Sequence, residues 1–376
     1  MDFDLSWLLW GLPIAFVLGW VASRLDLRQL RIENRQAPKA YFRGLNFLLN
    51  EQQDQAIDAF IEAVRNDPDT SELHFALGNL FRRRGEYDRA VRVHEHLLSR
   101  ADLSRAERHR AQHALALDFL KAGLLDRAEE ALLKLEGTAY AGQALLELLA
   151  IYERSRDWTQ AAEVSRKLDA SGQGDFSSRR AHYLCEMAAL ATGDQALRLL
   201  REAAETAPLA ARPAMELATV QRKDGDSRGA MDTLLRLAGT TPLVIPLLAR
   251  PLAQDALASG RQAEALAFLE ASYEQSPSLD VLDAIASLQL PEEARAWYVR
   301  HLEREPSLVA ATRWLAGEKL EHEDHHPQVQ RALEQATRPL LRYRCAACGF
   351  EAKQHFWQCP GCQTWDSYPP RRVEEL

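Results

Sequence analysis

The stretch GLNFLLNEQQDQAIDAFIEAVRNDP, residues 44–68, contains the pattern DxAxxxFxxAxxxxP. The alanine at the third position of this pattern recurs along the chain. Ala56, Phe60 and Ala63 stand at i, i+4 and i+7, so they share one face of a helix. The small residue recurs at Ala56, Ala90, Ala128, Ala161, Ala196, Ala230, Ala265 and Ala294, with spacings of 34, 38, 33, 35, 34, 35 and 29. A period close to 34 residues predicts one helical unit that is stacked repeatedly.

This period and pattern resemble the tetratricopeptide repeat, a pair of antiparallel helices. Gly44, Phe47 and Phe60 occupy signature places in the first copy, and Gly78 and Phe81 do so in the second. The resemblance implies an all-α fold with a repeat solenoid over residues 37–306 and closing helices over 307–340. We expect the small residues to lie where helices cross closest, and the glycines to turn the chain between helices.

In such a solenoid, the first helix of each pair lines the concave face, where partners bind. A groove with aromatic and basic groups would suit an acidic or extended segment of a partner protein. The alternative is that FRRRG, residues 81–85, is a solvated helix end favoured by the helix dipole. The predicted partner-binding residues are Tyr41, Phe75, Asn79, Arg82, Arg83, Arg222 and Lys223.

The N-terminus predicts a membrane anchor. Residues 5–22, LSWLLWGLPIAFVLGWVA, carry no charge, and as a helix they extend about 27 Å, close to the thickness of a bilayer core. We assign residues 1–22 to the anchor and 23–36 to a basic juxtamembrane linker, whose arginines predict a cytoplasmic location for the bulk of the chain and an outside N-terminus. The alternatives are an interfacial helix, a cleaved signal peptide, or a packing face for another membrane helix at Gly11, Pro13 and Gly19.

The C-terminus predicts a metal site. Two CxxC pairs, separated by ten residues, would bring four thiolates around one centre, and both iron and zinc accept this tetrahedral set. CAACGF and CPGC resemble the two rubredoxin loops, which implies a rubredoxin-like metal-binding domain and tail over residues 341–376. Rubredoxin has a longer insert between the pairs and a glycine where this chain has Gln363. The predicted ligands of one iron or zinc ion are Cys345, Cys348, Cys359 and Cys362.

Six aromatic residues flank these cysteines, more than so small a module can bury, so we expect some to dock on the last helices of the solenoid. Their positions are Tyr343, Phe350, Phe356, Trp357, Trp365 and Tyr368. The competing interpretation is a nucleic-acid ribbon with phosphate contacts at Arg342, Arg344, Arg371 and Arg372. A net charge of −8 argues against this, since phosphate-binding surfaces are basic. No nucleic-acid partner is therefore predicted.

The order of parts resembles the lipopolysaccharide assembly protein B family of Gram-negative bacteria. These parts are an anchor with Gly19-Trp20 near its cytoplasmic end, a tetratricopeptide array and a rubredoxin-like tail. The resemblance implies an inner-membrane adaptor that promotes degradation of the lipid A pathway deacetylase by a membrane-bound ATP-dependent metalloprotease. A membrane regulator would inhibit it through the transmembrane helix, and other lipopolysaccharide assembly proteins would be partners.

The sequence contains no HExxH motif, P-loop or glycine-rich nucleotide fingerprint, so we predict that the chain is not an enzyme. Two alternatives stay open: a non-proteolytic scaffold for lipopolysaccharide synthesis or transport enzymes, and a rubredoxin-type electron-transfer protein. A homodimer also stays open.

Overall fold

The computed structural model describes residues 14–21, 39–67, 70–317 and 324–376, and these are mostly helical. The predicted anchor (1–22) and basic linker (23–36) lie outside the described residues, except for a helical stretch at 14–21. Within the described ranges, no helix combines the length and apolarity needed to cross a bilayer. The chain forms two compact units, Met1–Ser155 and Arg156–Leu376.

The helices follow one another with short connections. They are α1 (residues 39–49), α2 (Gln53–Asn66), α3 (Ser71–Arg84), α4 (Tyr87–Ser99), α5 (Arg105–Ala122), α6 (Leu125–Leu133), α7 (Ala141–Ser155), α8 (Trp158–Ala170), α9 (Ser177–Leu190), α10 (Asp194–Thr206), α11 (Ala211–Lys223), α12 (Ser227–Thr240), α13 (Ile245–Ser259), α14 (Gln262–Gln275), α15 (Leu279–Leu288), α16 (Pro291–Arg304), α17 (Leu308–Ala316) and α18 (His326–Thr337).

The eight predicted small positions are all buried near the start of a helix, as expected where two helices pack closely. Each of the eight alanines lies in the first turn of an even-numbered helix, from Ala56 in α2 to Ala294 in α16. All eight are buried, with exposed fractions between 0% and 9%. A larger side chain at such a crossing would push the two helices apart, which explains why the period is visible in this residue type.

Two signature glycines act differently from the prediction. Gly44 and Gly78 lie inside α1 and α3, not between helices. A Cβ at Gly44 would lie 2.8 Å from the Phe60 ring, and one at Gly78 would lie 2.5 Å from Nε2 of His94. Their role is therefore close packing of a second-helix ring. The predicted turning role holds at Gly225, which has a φ of 86° that glycine adopts without strain.

The last 36 residues form a small β-structured module, the C-terminal ribbon (residues 341–376), within the second unit. Strand β1 (Tyr343–Arg344) pairs antiparallel with β2 (Glu351–Ala352), and Tyr343 lies opposite Ala352. The core of the ribbon consists of Tyr343, Cys345, Cys359 and Tyr368. A core of four residues is too small to hold such a module alone, so a metal or a neighbouring surface must contribute.

Candidate metal centre and repeat surface

The first cysteine loop (Cys345–Gly349) is closed by two backbone hydrogen bonds. The Gly349 amide donates to the Cys345 carbonyl at 2.9 Å, and the Cys345 amide donates to the Phe350 carbonyl at 2.9 Å. Gly349 has a φ of 78°, in the left-handed region where glycine avoids the steric cost of a Cβ. The loop therefore turns tightly enough to direct both sulfurs towards one centre.

The second cysteine loop (Cys359–Gln363) repeats this geometry. The Gln363 amide donates to the Cys359 carbonyl at 2.8 Å, and the Cys359 amide donates to the Thr364 carbonyl at 2.9 Å. Gln363 has a φ of 61°, so it adopts the same left-handed conformation as its counterpart in the first loop. The departure from the rubredoxin pattern at this position is thus a difference of residue type and not of backbone shape.

The four sulfurs have the spacing of a tetrahedral metal site. Cys345 Sγ lies 3.8 Å from Cys362 Sγ, Cys348 Sγ lies 3.7 Å from Cys359 Sγ, and the four sulfurs all lie within 4.8 Å of one another. A tetrahedron with metal–sulfur bonds of about 2.3 Å has sulfur–sulfur edges of about 3.8 Å. The four cysteines could therefore hold one metal ion, and their donor set suits zinc or iron.

Neighbouring groups favour the thiolate form at two positions. Burial raises the pKa of the Cys345 thiol, but its hydrogen bond with the Ser367 hydroxyl and hydrogen bonds from nearby backbone amides outweigh it and lower that pKa to about 6. The hydroxyl and amide of Thr364 lower the pKa of Cys362. At Cys348 the Phe350 backbone acts to lower the pKa, but burial and the three neighbouring cysteines raise it to about 12. Since only thiolates bind these metals, a bound cation would be needed to ionise all four cysteines. Cys345 and Cys359 are buried, whereas Cys348 is exposed, so one edge of the centre faces solvent.

Trp365 anchors the ribbon on α8 and α9. Its ring stacks on His182 with a centroid distance of 4.7 Å and an interplanar angle of 18°. It also meets the rings of Trp158 and Tyr183 edge-on at 6.2 and 6.0 Å. Only 9% of Trp365 is exposed. An aromatic residue of the ribbon therefore docks on the repeat helices as predicted, but Trp365 contacts α8 and α9 and not the last helices.

Asp366 adds a polar contact beside this stack. Both of its carboxylate oxygens lie 2.9 Å from His182 Nε2, and the Ser178 hydroxyl donates to it at 3.2 Å. Burial acts to raise the pKa of Asp366, but the hydrogen bond and charge of His182 and the hydrogen bond from Ser178 lower it overall. The ionised carboxylate is the form that holds the ribbon to α9.

The two glutamates of the C-terminal tail cap two helices. Glu374 accepts hydrogen bonds from the Leu308 amide at 2.7 Å and the Ser307 hydroxyl at 2.8 Å, at the start of α17. Glu375 accepts from the Leu279 amide at 2.8 Å, at the start of α15. A carboxylate at a helix N-terminus satisfies free amides and complements the helix dipole. No local pattern marked these residues, because the helices they cap lie 66 to 96 positions away.

Three of the four arginines considered as phosphate contacts bind carboxylates or backbone within the chain. Arg372 forms a bidentate pair with Asp280 at 2.7 and 2.8 Å, and Arg344 pairs with Glu351 at 2.8 Å. Arg371 donates to the Pro277 carbonyl at 3.2 Å. These contacts occupy the three guanidinium groups inside the second unit, and the absence of a nucleic-acid partner stays a prediction.

One predicted partner-binding residue is misplaced. Phe75 is only 1% exposed and packs with Leu97, Leu103 and Ala111 in the core of the first unit. The prediction that it lines an open groove is wrong, because α3 turns this side chain towards α4 and α5. Tyr41 is half-buried against the core around Phe60, which leaves part of its surface accessible.

Two predicted arginines pair with buried aspartates of the next first helix. In the first unit, Arg82 donates to Asp118 at 2.8 Å and to the Asn79 side chain at 2.6 Å. In the second unit, Arg222 forms a bidentate pair with Asp255 at 2.5 and 2.7 Å. Both aspartates are 0% exposed. Because an unpaired buried carboxylate is costly, these arginines stabilise the repeats whatever else they bind.

Arg83 and Lys223, in contrast, are exposed at the ends of α3 and α11. No ion pair of either residue is seen within the described part of the chain. Of the seven residues predicted to bind partners, these two keep a free charge at the surface. Their role in partner binding stays a prediction.

Family models and curated relatives agree with this arrangement. A family model described as a rubredoxin metal binding domain matches residues 343–369, and one described as a tetratricopeptide repeat matches residues 43–94. Lipopolysaccharide assembly protein B of Escherichia coli (strain K12) is 31% identical, over 96% of this chain and 97% of its own length. The protein of the same name from Haemophilus influenzae (strain ATCC 51907 / DSM 11121 / KW20 / Rd) is 28% identical, over 97% of this chain and 98% of its own.

A solved structure of Naa15/Naa10 bound to HypK-THB is similar over 81% of this chain and 48% of that chain, with 15% identity and a TM-score of 0.47. The curated relatives carry the assignment, since the first of them exceeds 30% identity along nearly the whole of both chains. With its helical repeats and its four-cysteine ribbon, this chain belongs to the lipopolysaccharide assembly protein B family.

Proposed function

We propose that this chain is a non-catalytic, membrane-tethered adaptor that regulates lipopolysaccharide synthesis. Family membership supports the pathway, since the relatives are named for lipopolysaccharide assembly. The repeats support an adaptor, because stacked helix pairs offer a long binding surface. The uncharged segment at residues 5–22 supports the tether. It would place the chain in the inner membrane as a single-pass protein with its bulk in the cytoplasm.

The observation that carries the non-catalytic role is the closed geometry of the four-cysteine site. All four tetrahedral positions are filled by cysteine sulfur, so a metal there has no open position for substrate or water. A metal ion held by these cysteines would crosslink the two cysteine loops. Trp365, Asp366 and Glu374 then hold the crosslinked ribbon against the helices of the second unit. Such a ribbon fixes the orientation of the helices that it contacts, which is a structural role in a binding protein.

In the proposed mechanism, the anchor brings the repeats beside a membrane-bound ATP-dependent metalloprotease. The repeats capture the lipid A pathway deacetylase and present it for degradation. The free charges of Arg83 and Lys223 would attract acidic segments of these partners. A membrane regulator that competes for the transmembrane helix would switch the adaptor off.

The test is the half-life of the deacetylase after protein synthesis is stopped. Cells depleted of the chain should degrade the deacetylase more slowly, and wild-type protein should restore the rate. The variants Arg83→Glu and Lys223→Glu should restore it poorly, whereas Arg166→Glu, an exposed charge reversal on α8, should act as wild type. An unchanged half-life on depletion would refute the adaptor role.

A scaffold for lipopolysaccharide synthesis or transport enzymes uses the same surfaces but needs no proteolysis. It predicts that the deacetylase co-purifies with the chain while its half-life does not depend on the chain. Measuring both quantities in one strain therefore separates the scaffold from the adaptor. Sedimentation of the full chain at several concentrations addresses the homodimer.

One observation favours a second candidate function, rubredoxin-type electron transfer. Cys348 is exposed, so an edge of the metal centre is open to a redox partner. This function needs iron, since zinc does not change its oxidation state. A purified full chain that is colourless and contains zinc would exclude it, and a reversible iron absorption change on reduction would support it.

A further inference from the structure

A basic cavity lies between the ribbon and helices α13, α15, α17 and α18. Its volume is about 750 Å³, within the usual range for small-molecule sites. The whole lining belongs to the second unit. Six cations, from both ribbon and helices, line it against only two carboxylates, Asp280 and Asp283. The cations are Arg250, Arg313, Arg338, Arg342, Lys353 and Arg372.

Three of these cations are already paired. Arg372 binds Asp280 bidentately, and Arg313 forms an ion pair with Asp283. Arg342 lies 3.5 Å from Glu351, a weaker contact at the ribbon hairpin. Both carboxylates that line the cavity are therefore already paired with arginines.

The other three cations have no such partner within the described ranges. Arg250 lies on α13, Arg338 caps the C-terminus of α18, and Lys353 follows β2 in the ribbon, and all three are exposed. They come from three separate elements yet line the same cavity.

We propose that this cavity binds a small anion that carries two phosphate monoester groups. At neutral pH each such group carries a charge of about −1.5 to −2, so two of them match the three unpaired cations and the weakly paired Arg342. Guanidinium groups bind phosphate oxygens bidentately, and three of the five lining arginines, Arg250, Arg338 and Arg342, are not paired with Asp280 or Asp283.

The shape of the site favours a compact ligand over an acidic peptide. The cations converge on one cavity instead of following a groove along successive helices. The ribbon supplies Arg342, Lys353 and Arg372, so the site exists only while the ribbon is docked. This ligand site goes beyond the adaptor role, and its test measures binding and not proteolysis, so either proposal can fail alone.

The test is calorimetric titration of the metal-loaded full chain in detergent. Fructose 1,6-bisphosphate should bind, glucose 6-phosphate should bind more weakly, and glucose should not bind. Each of Arg250→Gln, Arg338→Gln and Lys353→Gln should weaken fructose 1,6-bisphosphate by about tenfold, the loss of one charge-assisted hydrogen bond. Arg331→Gln, on α18 but outside the cavity, is the matched control and should bind as wild type.

A further binding measurement distinguishes a lipid headgroup from a soluble bisphosphate as the ligand. Phosphatidylcholine vesicles that contain phosphatidylinositol 4,5-bisphosphate, whose headgroup carries two phosphate monoesters, test a lipid headgroup, and binding that depends on the same three cations supports the site with a lipid ligand. Circular dichroism and metal content of each variant show that it is folded. Absence of binding by both phosphate probes, equal binding by the three folded variants, or binding of an oligoglutamate peptide alone would overturn the proposal.

Discussion

Replacing Cys359 by serine is expected to release the metal and loosen the ribbon while helices α1 to α16 stay folded. Cys359 is 0% exposed and its sulfur lies 3.7 Å from that of Cys348, so a hydroxyl there is a poor ligand in a closed site. Structural four-ligand zinc sites contribute about 10–16 kcal/mol of apparent binding free energy. Loss of one thiolate in four removes on the order of 3 kcal/mol, about a hundredfold in affinity.

The same variant should leave the helical signal nearly intact. Residues 341–376, all of which the structure describes, contain no α-helix. Undocking of the tail would remove the carboxylates of Glu374 and Glu375 from the starts of α17 and α15, at a cost of about 1 kcal/mol for each cap. The indole of Trp365 would become hydrated, because only 9% of it is exposed in the docked state.

Three measurements on the full chain check this prediction: metal per chain by mass spectrometry, far-ultraviolet circular dichroism, and tryptophan emission. The metal should be lost to a chelator that leaves the wild type loaded, the helical signal should be kept, and the emission should then shift to longer wavelength. The matched control is Cys185→Ala, which removes a buried cysteine of α9 that is not a ligand and should keep the metal. Full metal content in Cys359→Ser, or unfolding of the repeat helices, would refute the reasoning.

Three further predictions concern single residues. Gln363→Gly should stabilise the metal-loaded ribbon by about 1 kcal/mol, since φ is 61° there, and faster metal loss to a chelator would contradict this. Gly78→Ala should lower the free energy of unfolding in urea by about 1–3 kcal/mol, because the added Cβ would lie 2.5 Å from the His94 ring. Gly239→Ala is the control, since a Cβ there meets open space. The pKa of Asp366 is lowered, so its contact with His182 stabilises the docked ribbon above the ordinary carboxyl pKa of about 4 and weakens as pH falls below it. The melting curves of wild type and Asp366→Asn should therefore converge in acid, and a difference that is constant down to pH of about 2 would argue against this contact.

The repeat array could be predicted because its determinants are local. An alanine at each helix crossing is required by packing within a single hairpin or its neighbour, so the requirement recurs with the hairpin. The cysteine set was predictable for the same reason, since each CxxC loop directs its own two sulfurs. Even Gln363 keeps the loop shape expected of a glycine, because the backbone hydrogen bonds around it are the same.

The predicted binding surface was less accurate because it depends on which neighbours a side chain meets. Phe75 was placed on an open face by counting along a helix, but α4 and α5 cover it. Arg82 and Arg222 resemble free surface charges until their aspartate partners, 36 and 33 residues further on, are located. A cation on a helix therefore cannot be assigned to a partner before its internal pairing is known.

Residues a few positions apart are enough to predict the repeated helical unit and the four thiolates. The place where the ribbon docks and the identity of the free charges depend on how distant parts of the folded chain meet. Trp365 reaches α8 and α9, and Glu374 reaches α17, across separations that no periodic pattern encodes. Such contacts arise when one folded surface meets another, so their energy depends on shape and burial at the meeting point and not on spacing along the chain.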